Sequence, residues 1–280
     1  MLLPRVFAFG TDPWDPTFRF ETSWLLPPYV LFALRALMSI YAFTTLLFNI
    51  GYECAHAELG GCWQAAAGFS FFTILTYWGL AFYLAFAALH TFTYARTSSP
   101  LLNQWPRPLQ ALHALFYSSV TAFPFLVTIV YWAILYPYGE AWFPTVYAAW
   151  SNVSQHALNS AFALFEILLT RADPQPWIHI PWLIFLMALY LALAYVTHAT
   201  KGFYTYDFLD PVKTKSLVAA YVFGIGAAVV VVIVIVKGVI WTRRWVTEER
   251  WGRRGVFARL GVTSDEEAHE MVGPEAFTTK

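Results

Sequence analysis

The chain has 280 residues, of which 59% are hydrophobic, 19% aromatic and only 12% charged. That balance leaves too little polar surface for a soluble globular domain and indicates a polytopic membrane protein. Seventeen basic residues against seventeen acidic ones argue against a nucleic-acid partner.

A helix rises about 1.5 Å per residue and the hydrocarbon layer is about 30 Å thick, so each span needs roughly 20 apolar residues. Six stretches meet that requirement, at about 29–50, 68–94, 109–136, 144–169, 180–200 and 216–241. They predict an all-α fold, a six-transmembrane-helix bundle over 29–241, flanked by an N-terminal segment 1–28 and a tail 242–280. Residues 1–23 carry Pro, Asp and Arg without a sustained apolar run, so the first span is expected to act as an internal signal rather than a cleaved leader.

The first span contains Arg35 about two turns in, and Glu166 sits about one turn from the same end of the fourth. Both fall in one half of the membrane, where they can pair, or the arginine can instead reach the headgroups. The loop after the first span holds the only cysteines, Cys54 and Cys62. In an oxidising compartment they can form a disulfide; in a reducing one they stay free thiols. Glu53, His56 and Glu58 lie nearby, but their spacing matches no zinc pattern, and no metal or other cofactor is expected.

The second span opens Phe72-Thr73-Ile74-Leu75-Thr76-Tyr77-Trp78. A threonine in a membrane helix ordinarily bonds the carbonyl four residues back, which for Thr76 is that of Phe72. His90 and His113 stand towards the other ends of the second and third spans.

The fourth span is the informative one. Asn152, His156 and Asn159 fall at i, i+4 and i+7, on one face of a regular helix. Ionisable groups are rare in membrane spans and usually line a cavity, pair or take part in chemistry, so this face predicts a polar cavity within the membrane. Measured from the same side, Thr76 lies about 12 Å deep and His156 about 18 Å deep. A low-dielectric site disfavours the imidazolium cation, and neutral imidazole can accept the proton of a hydroxyl that attacks an ester carbonyl.

His198 ends the fifth span, and the sixth carries Ala220, Gly224 and Ala228 at four-residue spacing, a stripe suited to close helix packing. The tail begins with an arginine cluster, read as a solvated charge run with anionic headgroups as the alternative surface for it, and turns acidic through Asp265, Glu266 and Glu267, a cytoplasmic extension expected to be partly disordered. Tryptophans mark the span edges, among them Trp24, Trp105, Trp142, Trp177 and Trp241. Basic residues concentrate on one side: Arg5 and Arg19, Arg96 and Arg107, Arg171, and the tail arginines. Lys201, Lys213 and Lys215 weaken the contrast, but the positive-inside rule places both termini in the cytoplasm, in the endoplasmic reticulum or the plasma membrane.

The run His156-Ala157-Leu158-Asn159 with Phe162, Phe165, Glu166 and Arg171, the aromatic segment Gly202-Phe203-Tyr204-Thr205-Tyr206, and Leu75-Thr76-Tyr77-Trp78 together resemble the androgen-induced protein family over about 29–241. The resemblance implies a six-helix membrane threonine hydrolase acting on fatty acid esters of hydroxy fatty acids. It implies Thr76 as nucleophile and His156 as general base, with Thr73, one turn earlier, as the alternative nucleophile. Asn152 or Asn159 would orient the imidazole, and Trp78, Asn159 or His198 would donate to the oxyanion. Where that family has Tyr-Pro after the fifth span, this chain has Tyr206-Asp207. The partners implied are a lipid ester substrate and membrane lipids. Two other classes fit the same residues: a six-helix dihaem electron carrier using His90, His113, His156 and His198, and a transporter or lipid receptor with a cavity but no chemistry.

Overall fold

The structure, a computed structural model, describes residues 14–136 and 143–253. Arg5, Trp142 and the acidic end of the tail lie outside the described residues. Every regular element among the described residues is helical, and the one β-type contact is an isolated bridge between Ser23 and Thr170. We label the main helices α1 (Pro28–Ala55), α2 (Gly61–Gly68), α3 (Phe72–Thr97), α4 (Arg107–Val130), α5 (Val146–Val153), α6 (Asn159–Leu169), α7 (His179–Lys201) and α8 (Leu217–Arg244).

Among the described residues, five helices are long and apolar enough to cross a membrane: α1, α3, α7, and the α4 and α8 helices together with the wider turns that extend them. The chain is a multi-pass integral membrane protein. The predicted fourth span is helical throughout 146–169, yet it does not reach that apolar standard. The cause is composition: Ser151, Asn152, Gln155, His156 and Asn159 dilute its hydrophobicity, and a π-helical turn at Ser154–Leu158 lies between α5 and α6.

The predicted boundaries shift at both ends of the bundle because polar side chains there find partners in the protein. Residues 14–27, expected as a separate cytoplasmic segment, pack into the end of the bundle: Phe20 O accepts from Arg35, Trp24 Nε1 donates to Leu168 O at 2.8 Å, and Ser23 Oγ donates to Leu169 O. The start of the tail also joins the fold. Arg243 is buried and donates to the carbonyls of Ile167, Thr170 and Ala172, satisfying groups left free at the end of α6. Glu248 takes a bidentate contact from Arg19, and Arg244 pairs with Asp173. Arg19 and Arg243 therefore serve internal contacts, while Arg244 keeps much of its side chain exposed.

Arg35 does not snorkel. Its Nε and Nη2 meet the two oxygens of Glu166 at 2.8 and 2.7 Å, while Nη1 donates to Phe20 O and Thr91 Oγ1. With side chains 1% and 0% exposed, the pair fastens α1 to α6 and α3. A guanidinium is tolerated at such depth because its donors are engaged by a carboxylate and oxygen acceptors in a fixed fork.

Of the small-residue stripe on α8, Ala228 packs against the core, whereas Ala220 and Gly224 are exposed and a Cβ added at Gly224 would meet nothing within 4 Å.

Candidate functional site

Two π-helical turns meet at the heart of the site. The first, Tyr131–Leu135, extends α4; the second, Ser154–Leu158, joins α5 to α6. A π turn leaves local backbone groups without their usual partners and turns the following side chains to a new azimuth, which is why such turns recur at functional sites. Here the Tyr131 and His156 rings stack with centroids 3.6 Å apart and planes 16° from parallel. Trp132 Nε1 donates to the His156 carbonyl at 3.0 Å, satisfying a group within the widened turn.

The imidazole is held in one tautomer. His156 Nδ1 lies 3.0 Å from the backbone carbonyl of Asn152, which can only accept, so Nδ1 carries the proton and Nε2 is left as the basic nitrogen. The Asn152 side chain secures the other half of the stack, its Oδ1 accepting from Tyr131 OH at 2.9 Å and its Nδ2 donating to Ala148 O. One residue thus fixes both rings, the imidazole through its main chain and the phenol through its side chain.

Asn159 is not on this face. The π turn between it and His156 breaks the i, i+4, i+7 alignment expected for a regular helix. Asn159 is buried against α4, where Oδ1 accepts from Thr128 Oγ1 and Nδ2 reaches Pro124 O. It is a packing contact between α6 and α4 and neither orients the imidazole nor faces the cavity.

His156 lines a cavity of about 460 Å³ bounded by α1, α2, α3, both π turns and the segment 204–207. Its polar lining includes Asn49, Glu53, Gln155 and Thr205, and Trp78 stands on its wall with a buried indole N–H that has no hydrogen-bond partner among the described residues. Hydrogen bonds tie the π-turn region to α1: Tyr41 OH to Ser154 Oγ at 2.7 Å and Asn49 Nδ2 to Ser151 Oγ at 2.9 Å. The disulfide between Cys54 and Cys62 joins the end of α1 to α2, and both elements contribute to the cavity wall.

The two threonines separate. Thr73 lines the His156 cavity. Thr76 does not: its Oγ1 donates to Phe72 O at 2.9 Å and to Thr73 O at 3.1 Å, and its side chain faces a different groove with Ser119 and Tyr190. Three residues along a helix leave a side chain about 60° short of a full turn, enough here to carry Thr76 away from the imidazole. The Tyr206 phenol lies in interaction range of Thr73 and of Tyr190.

A second, mostly apolar chamber of about 480 Å³ adjoins the first, between α3, α4, α7 and α8. Thr73, Tyr131, Leu135 and Tyr206 line both. The polar hollow and the apolar one therefore share a wall at Thr73.

The other histidines stand elsewhere. His198 stacks on Tyr204 at 3.8 Å, one layer behind the cavity wall. His90 and His113 are buried together, edge to face, with centroids 5.2 Å apart. A bis-histidine haem lies between its two imidazoles, and no such gap separates these rings.

No protein-family model matches the chain, and no curated protein or solved structure matches it either. The chemistry has to be read from the site itself.

Proposed function

We propose that the chain is an intramembrane lipid-ester hydrolase in which His156 serves as general base for the hydroxyl of Thr73. One observation carries this reading: an imidazole with its tautomer fixed and a threonine hydroxyl line the same polar cavity, and that threonine also lines an apolar chamber suited to an acyl chain.

In the proposed reaction, His156 Nε2 takes the proton of Thr73 Oγ1 as the oxygen attacks the ester carbonyl. The tetrahedral intermediate collapses, the alcohol departs with the proton from Nε2, and Thr73 is left acylated. Water, deprotonated by the same nitrogen, attacks the acyl group; the acid leaves and Thr73 regains its proton. The oxyanion needs donors, which a regular helix interior does not supply from its backbone. The indole N–H of Trp78, buried on the cavity wall and unpartnered, is the donor this structure offers. The resemblance to the androgen-induced protein family supports the reaction class and suggests long-chain esters, with the nucleophile moved from Thr76 to Thr73. We place the termini in the cytoplasm and the cavity towards the opposite, oxidising side, in keeping with the basic-residue bias and the disulfide.

The purified chain in nanodiscs, offered a panel of long-chain esters, tests this. Hydrolysis and labelling by a fluorophosphonate probe are expected in the native protein and in Thr76→Val, with loss of at least about a hundredfold in Thr73→Ala and His156→Ala. Activity that survives in Thr73→Ala overturns the nucleophile assignment, and ligand binding without turnover identifies a receptor or transporter.

A further inference from the structure

The charge on the cavity wall carries information about the ligand that the proposed chemistry does not use. Among the described residues lining the His156 cavity are two carboxylates, Glu53 and Asp207, and no lysine or arginine. Asp207 lies at the outer rim and is paired with Lys213 Nζ at 2.6 Å, both side chains largely exposed. Glu53, half-buried at the end of α1, forms no ion pair among the described residues; its neighbour is the Tyr147 phenol. Glu53 is thus the one carboxyl on the described wall without a cationic partner.

An independent observation points the same way. Asn49, 7% exposed, lines the cavity one helical turn before Glu53. It gives its amide N–H to Ser151, while its Oδ1 is buried and accepts from no group among the described residues. A buried acceptor with no donor is costly unless a ligand supplies one. The walls also present aromatic rings, including Phe69, Trp78 and Tyr204, whose faces attract alkylammonium groups and repel anions.

We propose that this cavity selects ester lipids whose polar end is uncharged or cationic and able to donate hydrogen bonds, and that it turns away a free carboxylate, so that its substrates differ from fatty acid esters of hydroxy fatty acids, which keep one. The inference rests on the hydrolase reading only for the word ester; the selectivity belongs to binding. A carboxylate entering beside Glu53 would meet a like charge in a partly desolvated site, where repulsion is far stronger than in water.

The test uses the full chain in nanodiscs of neutral lipid, so that bilayer charge plays no part. Non-hydrolysable alkyl ethers of one chain length, ending in a carboxylate, its primary amide or a primary ammonium group, compete against a fluorescent alkyl ether probe followed by anisotropy. The carboxylate is expected to bind at least about tenfold more weakly than the other two, and Glu53→Gln to narrow that gap to about threefold or less. Equal competition by the carboxylate in the native protein, or a gap unchanged in Glu53→Gln, overturns the proposal. Matching esters distinguish the two readings. Discrimination by the ethers with no ester cleaved defeats the hydrolase and leaves the selectivity standing; cleavage of all esters at similar kcat/KM does the reverse.

Discussion

Tyr131 and His156 each occupy a π-helical turn and stack face to face at 3.6 Å, so the imidazole is set by two local irregularities that meet. The consequence is measurable. Tyr131→Phe keeps the stack and removes the bond to Asn152, worth about 1 kcal/mol, so kcat/KM for ester hydrolysis should fall by less than about tenfold. Tyr131→Ala removes the surface against which the ring is held and is expected to cost about a hundredfold, mostly in kcat. Equal effects in the two variants would show that the stack does not position the imidazole.

The Arg35–Glu166 pair is a second target. Breaking a buried ion pair from one side leaves an uncompensated charge and typically costs about 3–5 kcal/mol. Glu166→Ala should therefore express poorly and melt at markedly lower temperature in detergent. The double variant Arg35→Met, Glu166→Leu removes both charges and is expected to recover most of the loss, which size-exclusion profiles and Tm report directly.

The Cys54–Cys62 bond closes a short loop, eight residues apart in sequence. Loop-closure entropy for a ring of this size corresponds to about 2–3 kcal/mol. Cys54→Ser with Cys62→Ser should lower Tm and loosen α2 on the cavity wall, raising KM more than it lowers kcat. Thiol alkylation followed by mass spectrometry reads the bond itself.

Glu21, outside the spanning helices and fully buried, offers a pH signature. Burial, reinforced by the neighbouring Asp15, pushes its carboxyl well above the ordinary 4.5. The folded protein holds this proton more tightly than the unfolded chain. Its contribution to stability is therefore complete below that ordinary value and is lost as pH rises from there through the folded value. Glu21→Gln, permanently neutral, should match the native protein at about pH 4 and melt several degrees higher at about pH 8. Parallel melting curves across that range would contradict this.

What composition and hydropathy could determine, they did: the membrane class, the helical fold and five of the six predicted spans, together with the scarcity that singles out His156. Those features depend on averages over about twenty residues or on the rarity of a single group, and both are visible without a partner. The choice between Thr73 and Thr76 was not legible, because it turns on about 60° of rotation about one helix axis. The apparent Asn152–His156–Asn159 face was misleading for a related reason, since the pattern presumes regular helix and Ser154–Leu158 widens into a π turn. Tyr131 gave no sign of its role; it is one aromatic among many until the fold presses it onto the imidazole. Arg35 against Glu166, and the charge of Glu53 beside the unpartnered oxygen of Asn49, were likewise decided by tertiary structure. A polar group's meaning inside a membrane depends on which other polar group it faces, and that is fixed only when the helices pack.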